Sequence, residues 1–241
     1  MPSASPCCSG RRFQSLLLAI LASVVSVAPA AAQMPGLPTL QNAFTSPGLA
    51  AAANYGSSDA FTVVGLAGSW TPGSNRLQVT GGLAAVSPDG GGDRATGVGA
   101  RAAVPIRTRW TGPESSLGAA LFAGIGGAWR SGGGLVELPV GGTASYRRRV
   151  GEGRAVSLYI APYFQWTRRT GAGLNDSDPE RLDLEVETRD DSDLIRAAIG
   201  LDFLISSRLS LSLGYDFGAS ADVGRPGPTG GIFGAGLGVS F

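Results

Sequence analysis

The chain has 241 residues, no histidine, 19 basic and 18 acidic residues, and a formal charge of +1. So balanced a charge, with no basic block, gives no electrostatic reason to bind nucleic acid. Charged residues make up only 15% of the chain and glycine reaches 38 positions, an odd composition for a soluble domain.

In chain order, Met1–Ala32 has the layout of a secretory signal peptide. Arg11 and Arg12 supply the positive flank, Ser15–Pro29 is an almost unbroken apolar run, and Ala30-Ala31-Ala32 offers a small-residue cleavage site. Arg11-Arg12-Phe13-Gln14 departs from a twin-arginine pattern, and Cys7 and Cys8 precede the apolar run, so they do not mark a lipoprotein. Cleavage leaves Gln33 as the mature N-terminus and a chain without cysteine, 17 arginines against 18 carboxylates, for a charge of about −1. The remaining organisation is expected to be an N-terminal extension over 33–47 and one β-domain over 48–241.

From there on the apolar residues recur with period two, as in strands with two unlike faces. The weaker segments come first: Leu49–Tyr55, Ala60–Trp70 and Arg76–Val86. Thr96–Ile106, Leu117–Trp129, Val136–Tyr146 and Val156–Trp166 alternate clearly. So do Ile195–Ile205, Arg208–Gly218 and Ile232–Phe241; in Arg208–Gly218, Leu209, Leu211, Leu213, Tyr215 and Phe217 oppose Ser210, Ser212, Gly214 and Asp216. Pro72-Gly73-Ser74-Asn75, Gly151-Glu152-Gly153 and Ser206-Ser207 are tight-turn material. The long insertions are Arg168–Asp193 and Ser220–Gly230. The predicted fold is an all-β, single antiparallel transmembrane barrel of ten strands, with eight or twelve as alternatives.

Parity supports ten. Counting back from Phe241 with short turns inside and long loops outside, both long insertions fall outside. Thr108–Glu114 is the one turn that looks long for the inner side. Charge placement follows the same logic: within the spans, Arg101, Glu137, Arg196, Asp202 and Asp216 all lie on the small or polar face. Those five are expected to face the lumen as a paired network, Asp202 and Asp216 balancing Arg101 and Arg196, since a charge out of water needs partners. The sharper alternative is a charge-lined polar pathway. Trp70, Trp129, Tyr146, Trp166, Tyr215, Phe217 and Phe241 stand near strand ends, where membrane-interface aromatic girdles sit.

A signal peptide, ten-residue amphipathic strands and a last strand Ile232–Phe241 ending in phenylalanine resemble the small bacterial outer-membrane β-barrel proteins. The resemblance implies residence in the outer membrane, partners in its lipid and lipopolysaccharide, and recognition of Phe241 by the barrel-assembly machinery. It carries no subfamily motif.

The chemistry of sites adds little. Enzymes among the barrels that this chain resembles use histidine as base or orienting group, and histidine is the side chain best matched to proton transfer near neutrality; its absence leads to the expectation of no catalytic residues and no enzymatic role. The acidic stretch Asn175–Asp193 begins like a calcium loop at Asp176-Ser177-Asp178 but lacks the glycine and closing glutamate, so no metal or other cofactor is expected. The reading is therefore a structural or surface-interacting membrane barrel. A narrow porin-like channel and a soluble periplasmic β-barrel are the alternatives.

Overall fold

The computed structural model describes residues 42–44, 47–58, 61–74, 76–88, 94–130, 133–170, 192–220 and 228–241. The segment Met1–Ala32, expected to be a signal peptide, and the acidic stretch within 171–191 lie outside the described residues.

Ten strands run in order: β1 Gly48–Ser57, β2 Phe61–Thr71, β3 Gln78–Pro88, β4 Ala95–Gly112 and β5 Ser115–Arg130, then β6 Gly133–Gly151, β7 Arg154–Thr170, β8 Ser192–Leu204, β9 Leu209–Ser220 and β10 Pro228–Ser240. Each pairs antiparallel with its chain neighbours, and β1 pairs with β10 to close the barrel. Closure leaves no free sheet edge, which is the condition for a sheet to sit in hydrocarbon. The seam runs Ala53↔Leu237 and Tyr55↔Ala235, and the Phe241 N–H completes it by donating to Leu49 O at 2.9 Å.

Side-chain direction decides what surrounds the barrel. Leu66 is 69% exposed, Leu83 62%, and Leu121, Ile125, Val140, Ile195 and Leu237 all stand about half exposed or more. Asn54, Thr80, Ser116, Ser145, Ser157 and Thr143 are buried. The apolar rows point outward and the small polar rows inward, opposite to a water-soluble barrel, whose oily face would fill the centre. The architecture is that of an outer-membrane β-barrel.

Both described chain ends lie at one mouth, together with the β2–β3, β4–β5, β6–β7 and β8–β9 turns. The opposite mouth carries the connections 171–191 and 221–227. Short turns mark the periplasmic end. The turn that looked long over Thr108–Glu114 is short, because β4 and β5 continue pairing through Thr108↔Gly118 and Trp110↔Ser116 to Gly112↔Ser115, leaving only Pro113 and Glu114 between them. At β6–β7 the turn is Glu152-Gly153, with Gly153 at φ +64°, a left-handed conformation that costs an L side chain energy but not glycine.

Aromatic rings lie over glycines of neighbouring strands. On the inner wall Tyr159 faces Gly200 across β7–β8, and a Cβ at Gly200 would collide with the phenol ring and come within 2.6 Å of Leu213 O. On the outer wall the Trp129 indole covers Gly127 of its own strand and Gly134, the residue paired with Trp129 across β5–β6. Such pairings fill the gap that a glycine leaves on a sheet face.

Candidate functional site: the lumen and its periplasmic mouth

Five inward residues at mid-height come from five strands. On β8, Arg196 is 1% exposed, and on β9 its partner Asp216 is 2% exposed. Arg196 Nη2 lies 2.9 Å from Asp216 Oδ1, and Nε donates to the same oxygen at 3.0 Å. The Tyr163 hydroxyl of β7 accepts from Arg196 Nε at 3.0 Å and donates to Asp216 Oδ2. Register produces this: Tyr163 faces Arg196 across β7–β8, while Asp216 sits one inward step away opposite Ala198. Beyond it, the Tyr163 ring meets Phe122 of β5 at 6.0 Å between centroids, and the Arg101 guanidinium of β4 stands 6.0 Å from the Phe122 ring. Ala103, Ala161 and Ala198 pack into the same cluster.

Glu137 of β6 is 3% exposed and borders this belt, with a hydrogen bond to Gln165. Among the described residues no hydrogen bond reaches Glu137 Oε2, the Tyr159 hydroxyl or Arg196 Nη1; buried polar groups of this kind are where internal water completes a network. Asp202 belongs to a second group nearer the periplasm, and its partners come partly from the N-terminal extension.

Residues Asn42–Phe44 of that extension lie inside the barrel. Asn42 Nδ2 donates to Asp202 Oδ2, the Ala43 N–H donates to Ser145 Oγ at 2.9 Å, and Asp202 is also bonded by Ser212. The Phe44 ring occupies the space left by Gly118, where a Cβ would stand 3.1 Å from it. The Arg147 guanidinium lies over the Phe44 ring, 4.2 Å from its centroid, and donates from Nε to Ser157 Oγ at 3.0 Å. Below this plug a cavity of about 590 Å³ opens at the short-turn mouth, bordered by Phe44, Ser116, Arg147, Arg149, Glu152 and Arg154.

All five charges read from the sequence therefore sit on inward rows, and the structure joins Arg196 to Asp216 directly. Arg147, Tyr163 and Asn42 were not among the residues singled out. Arg147 could have been found, since the alternation Ser145, Arg147, Arg149 continues the inward row past Tyr146, where the predicted strand stopped. Outward, Trp70 and Tyr146 lie in the periplasmic half and Trp129, Trp166, Tyr215 and Phe217 in the outer half. Trp166 carries Arg168 over its ring at 4.6 Å, Tyr215 stacks on Phe217, and Phe241 is 80% exposed at the periplasmic end.

No family model matches the chain, and no curated protein matches it by sequence. Solved structures similar to it include LpxR from Salmonella typhimurium, at 10% identity and a TM-score of 0.46, covering 80% of this chain and 99% of that one. The outer membrane enzyme PagL matches at 14% identity and a TM-score of 0.36, with 80% and 99% covered. The KdgM porin matches at 11% and 0.32 over the same shares. These are outer-membrane barrels, consistent with the architecture described above. The expectation that the chain is not an enzyme is corrected by this comparison, because an outer membrane enzyme stands among the similar barrels. The physical reason is that missing histidine removes one kind of proton-transfer group only; carboxyl and phenol groups, which this lumen holds at Glu137, Asp216 and Tyr163, are others.

Proposed function

We propose that this chain is an integral outer-membrane protein whose lumen is sealed at mid-height, acting as a structural or surface-interacting component of that membrane rather than as a diffusion pore. The observation that carries this reading is the belt of Arg196, Asp216, Tyr163, Phe122, Glu137 and Tyr159, whose members are almost all inaccessible to water. A solute path would need water against those side chains, and a ten-stranded barrel encloses little space once they are placed. In this reading the outward aromatics, Trp70, Trp129, Tyr146, Trp166, Tyr215 and Phe217, form two interfacial girdles in lipid and lipopolysaccharide, and Phe241 is the strand end that the barrel-assembly machinery reads.

Reconstitution in planar bilayers tests the proposal. The expected result for the folded chain is no discrete conductance steps. Reproducible steps whose size changes on Arg196→Ala or Asp216→Ala would instead make the narrow-channel reading correct.

A further inference from the structure

Each residue of the plug Asn42–Phe44 has its own fastening, and one carboxylate governs two of the three. Ala43 is held by an uncharged bond, its N–H donating to Ser145 Oγ at 2.9 Å. Asn42 is held directly by Asp202, whose Oδ2 accepts from Nδ2. Phe44 is held at one remove. Its ring lies against the Arg147 guanidinium, and Arg147 in turn lies within electrostatic range of Asp202. The Phe44 N–H also donates to Asn42 Oδ1 at 3.1 Å, which ties the two ends of the plug to one another.

Among the described residues, Asp202 is faced from every side by groups that depend on its charge or tolerate its loss. Ser212 of β9 hydrogen-bonds to it. On β7, Ser157 is its cross-strand partner and the Tyr159 phenol lies within electrostatic range. From β6 comes Arg147, with the like charge of Arg149 next along the same inward row. Ionised, the Asp202 carboxylate gives Asn42 a charge-assisted hydrogen bond, roughly twice as strong as a neutral one. It also gives Arg147 a counter-charge while the guanidinium rests on the Phe44 ring. Protonated, it offers Asn42 only a neutral acceptor and leaves Arg147 beside Arg149 without that counter-charge. A cation so placed in a lumen is favoured to shift toward water, and both ends of the plug loosen together.

We propose that Asp202 is a proton-operated latch for the N-terminal plug: ionised it holds Asn42–Phe44 in the barrel, and protonated it lets the segment detach while the strands stay paired. The sign follows from the charge. Docking is complete while the carboxylate is ionised and is lost as pH falls through its titration.

Hydrogen–deuterium exchange of the folded chain in detergent, read by mass spectrometry, tests this at about pH 7.5 and about pH 3, on either side of the ordinary aspartate range. Exchange of the fragment containing Asn42–Phe44 is divided by that of a free peptide of the same sequence, which removes the intrinsic pH dependence of the chemistry. The expected result is protection about tenfold lower in acid, equivalent to about 1.4 kcal/mol. Asp202→Asn should show the acid level at both pH values. Ser145→Ala breaks only the uncharged fastening, so it should lower protection at both values and keep the pH step. Asn42→Ala lies outside the strands and leaves barrel folding alone; it should give low protection at neutral pH and a pH step cut to a fraction of the parent's. Heat-modifiable gel migration and unchanged protection of β8 and β9 fragments establish that each variant is folded. Equal protection of the parent at the two pH values, or a full pH step retained in Asp202→Asn or in Asn42→Ala, would each overturn the proposal.

Discussion

At Arg196 the energetic argument turns on burial. Its guanidinium is enclosed in the lumen and meets Asp216 through two nitrogens and Tyr163 through Nε. A buried pair offsets its desolvation only through such geometry, and removing one member strands the other charge. Asp216→Ala and Arg196→Ala should therefore each destabilise the folded barrel by about 3–5 kcal/mol, measured as urea unfolding in micelles. The joint replacement Arg196→Met with Asp216→Leu should cost less than either single change, because no lone charge remains. A joint loss equal to the sum of the single losses would show that the pair is not coupled. Tyr163→Phe removes one donor to Asp216 Oδ2 and should cost about 1–2 kcal/mol. These residues also mark where the sequence was legible: alternation placed Arg196 and Asp216 on one face, but their pairing depends on the β8–β9 register, which alternation does not encode.

Among the elements, β6 shows best how packing overrides composition. It has glycine at 133, 134, 141, 142 and 151, and on propensity alone a strand so rich in glycine is weak. Its neighbours supply what it lacks. The Trp129 indole covers Gly134, and Gly141 lies against Tyr163, where a Cβ would stand 2.5 Å from Pro162 O. A backbone oxygen cannot rotate aside. Gly141→Ala should thus lower stability by about 1–3 kcal/mol, the usual range for overpacking. At Gly68 of β2 the nearest atom to an added Cβ is Ala50 O at 4.0 Å, so Gly68→Ala should be neutral or gain about 0.5–1 kcal/mol from reduced chain entropy. Thermal loss of heat-modifiable migration separates the two, and a Gly68 variant as damaging as the Gly141 variant would contradict the packing account. The ends of β4 to β7 were the least legible part, since charged residues such as Arg147 end an amphipathic pattern without ending hydrogen bonding.

For the whole molecule, two closures are stacked along the barrel axis: the mid-height belt around Arg196 and the plug Asn42–Phe44 below it. The ten-strand barrel and its outward apolar surface could both be read from period two and turn length, because both follow from the difference between lipid and lumen. The plug could not. Nothing in Asn42-Ala43-Phe44 alternates, and its fit depends on Gly118, Ser145 and Asp202, three residues on separate strands. The two closures make different predictions for a chain shortened to begin at Thr45. Such a chain keeps every strand and the seam Phe241–Leu49, so it should fold, though with Asp202 and Arg147 deprived of Asn42 and Phe44 it should unfold at lower urea. If the belt is the seal, the shortened barrel stays silent in planar bilayers, and only a further change such as Tyr163→Ala with Arg196→Ala opens it. Conductance in the shortened barrel alone would move the seal to the plug and leave the belt as a structural brace between strands.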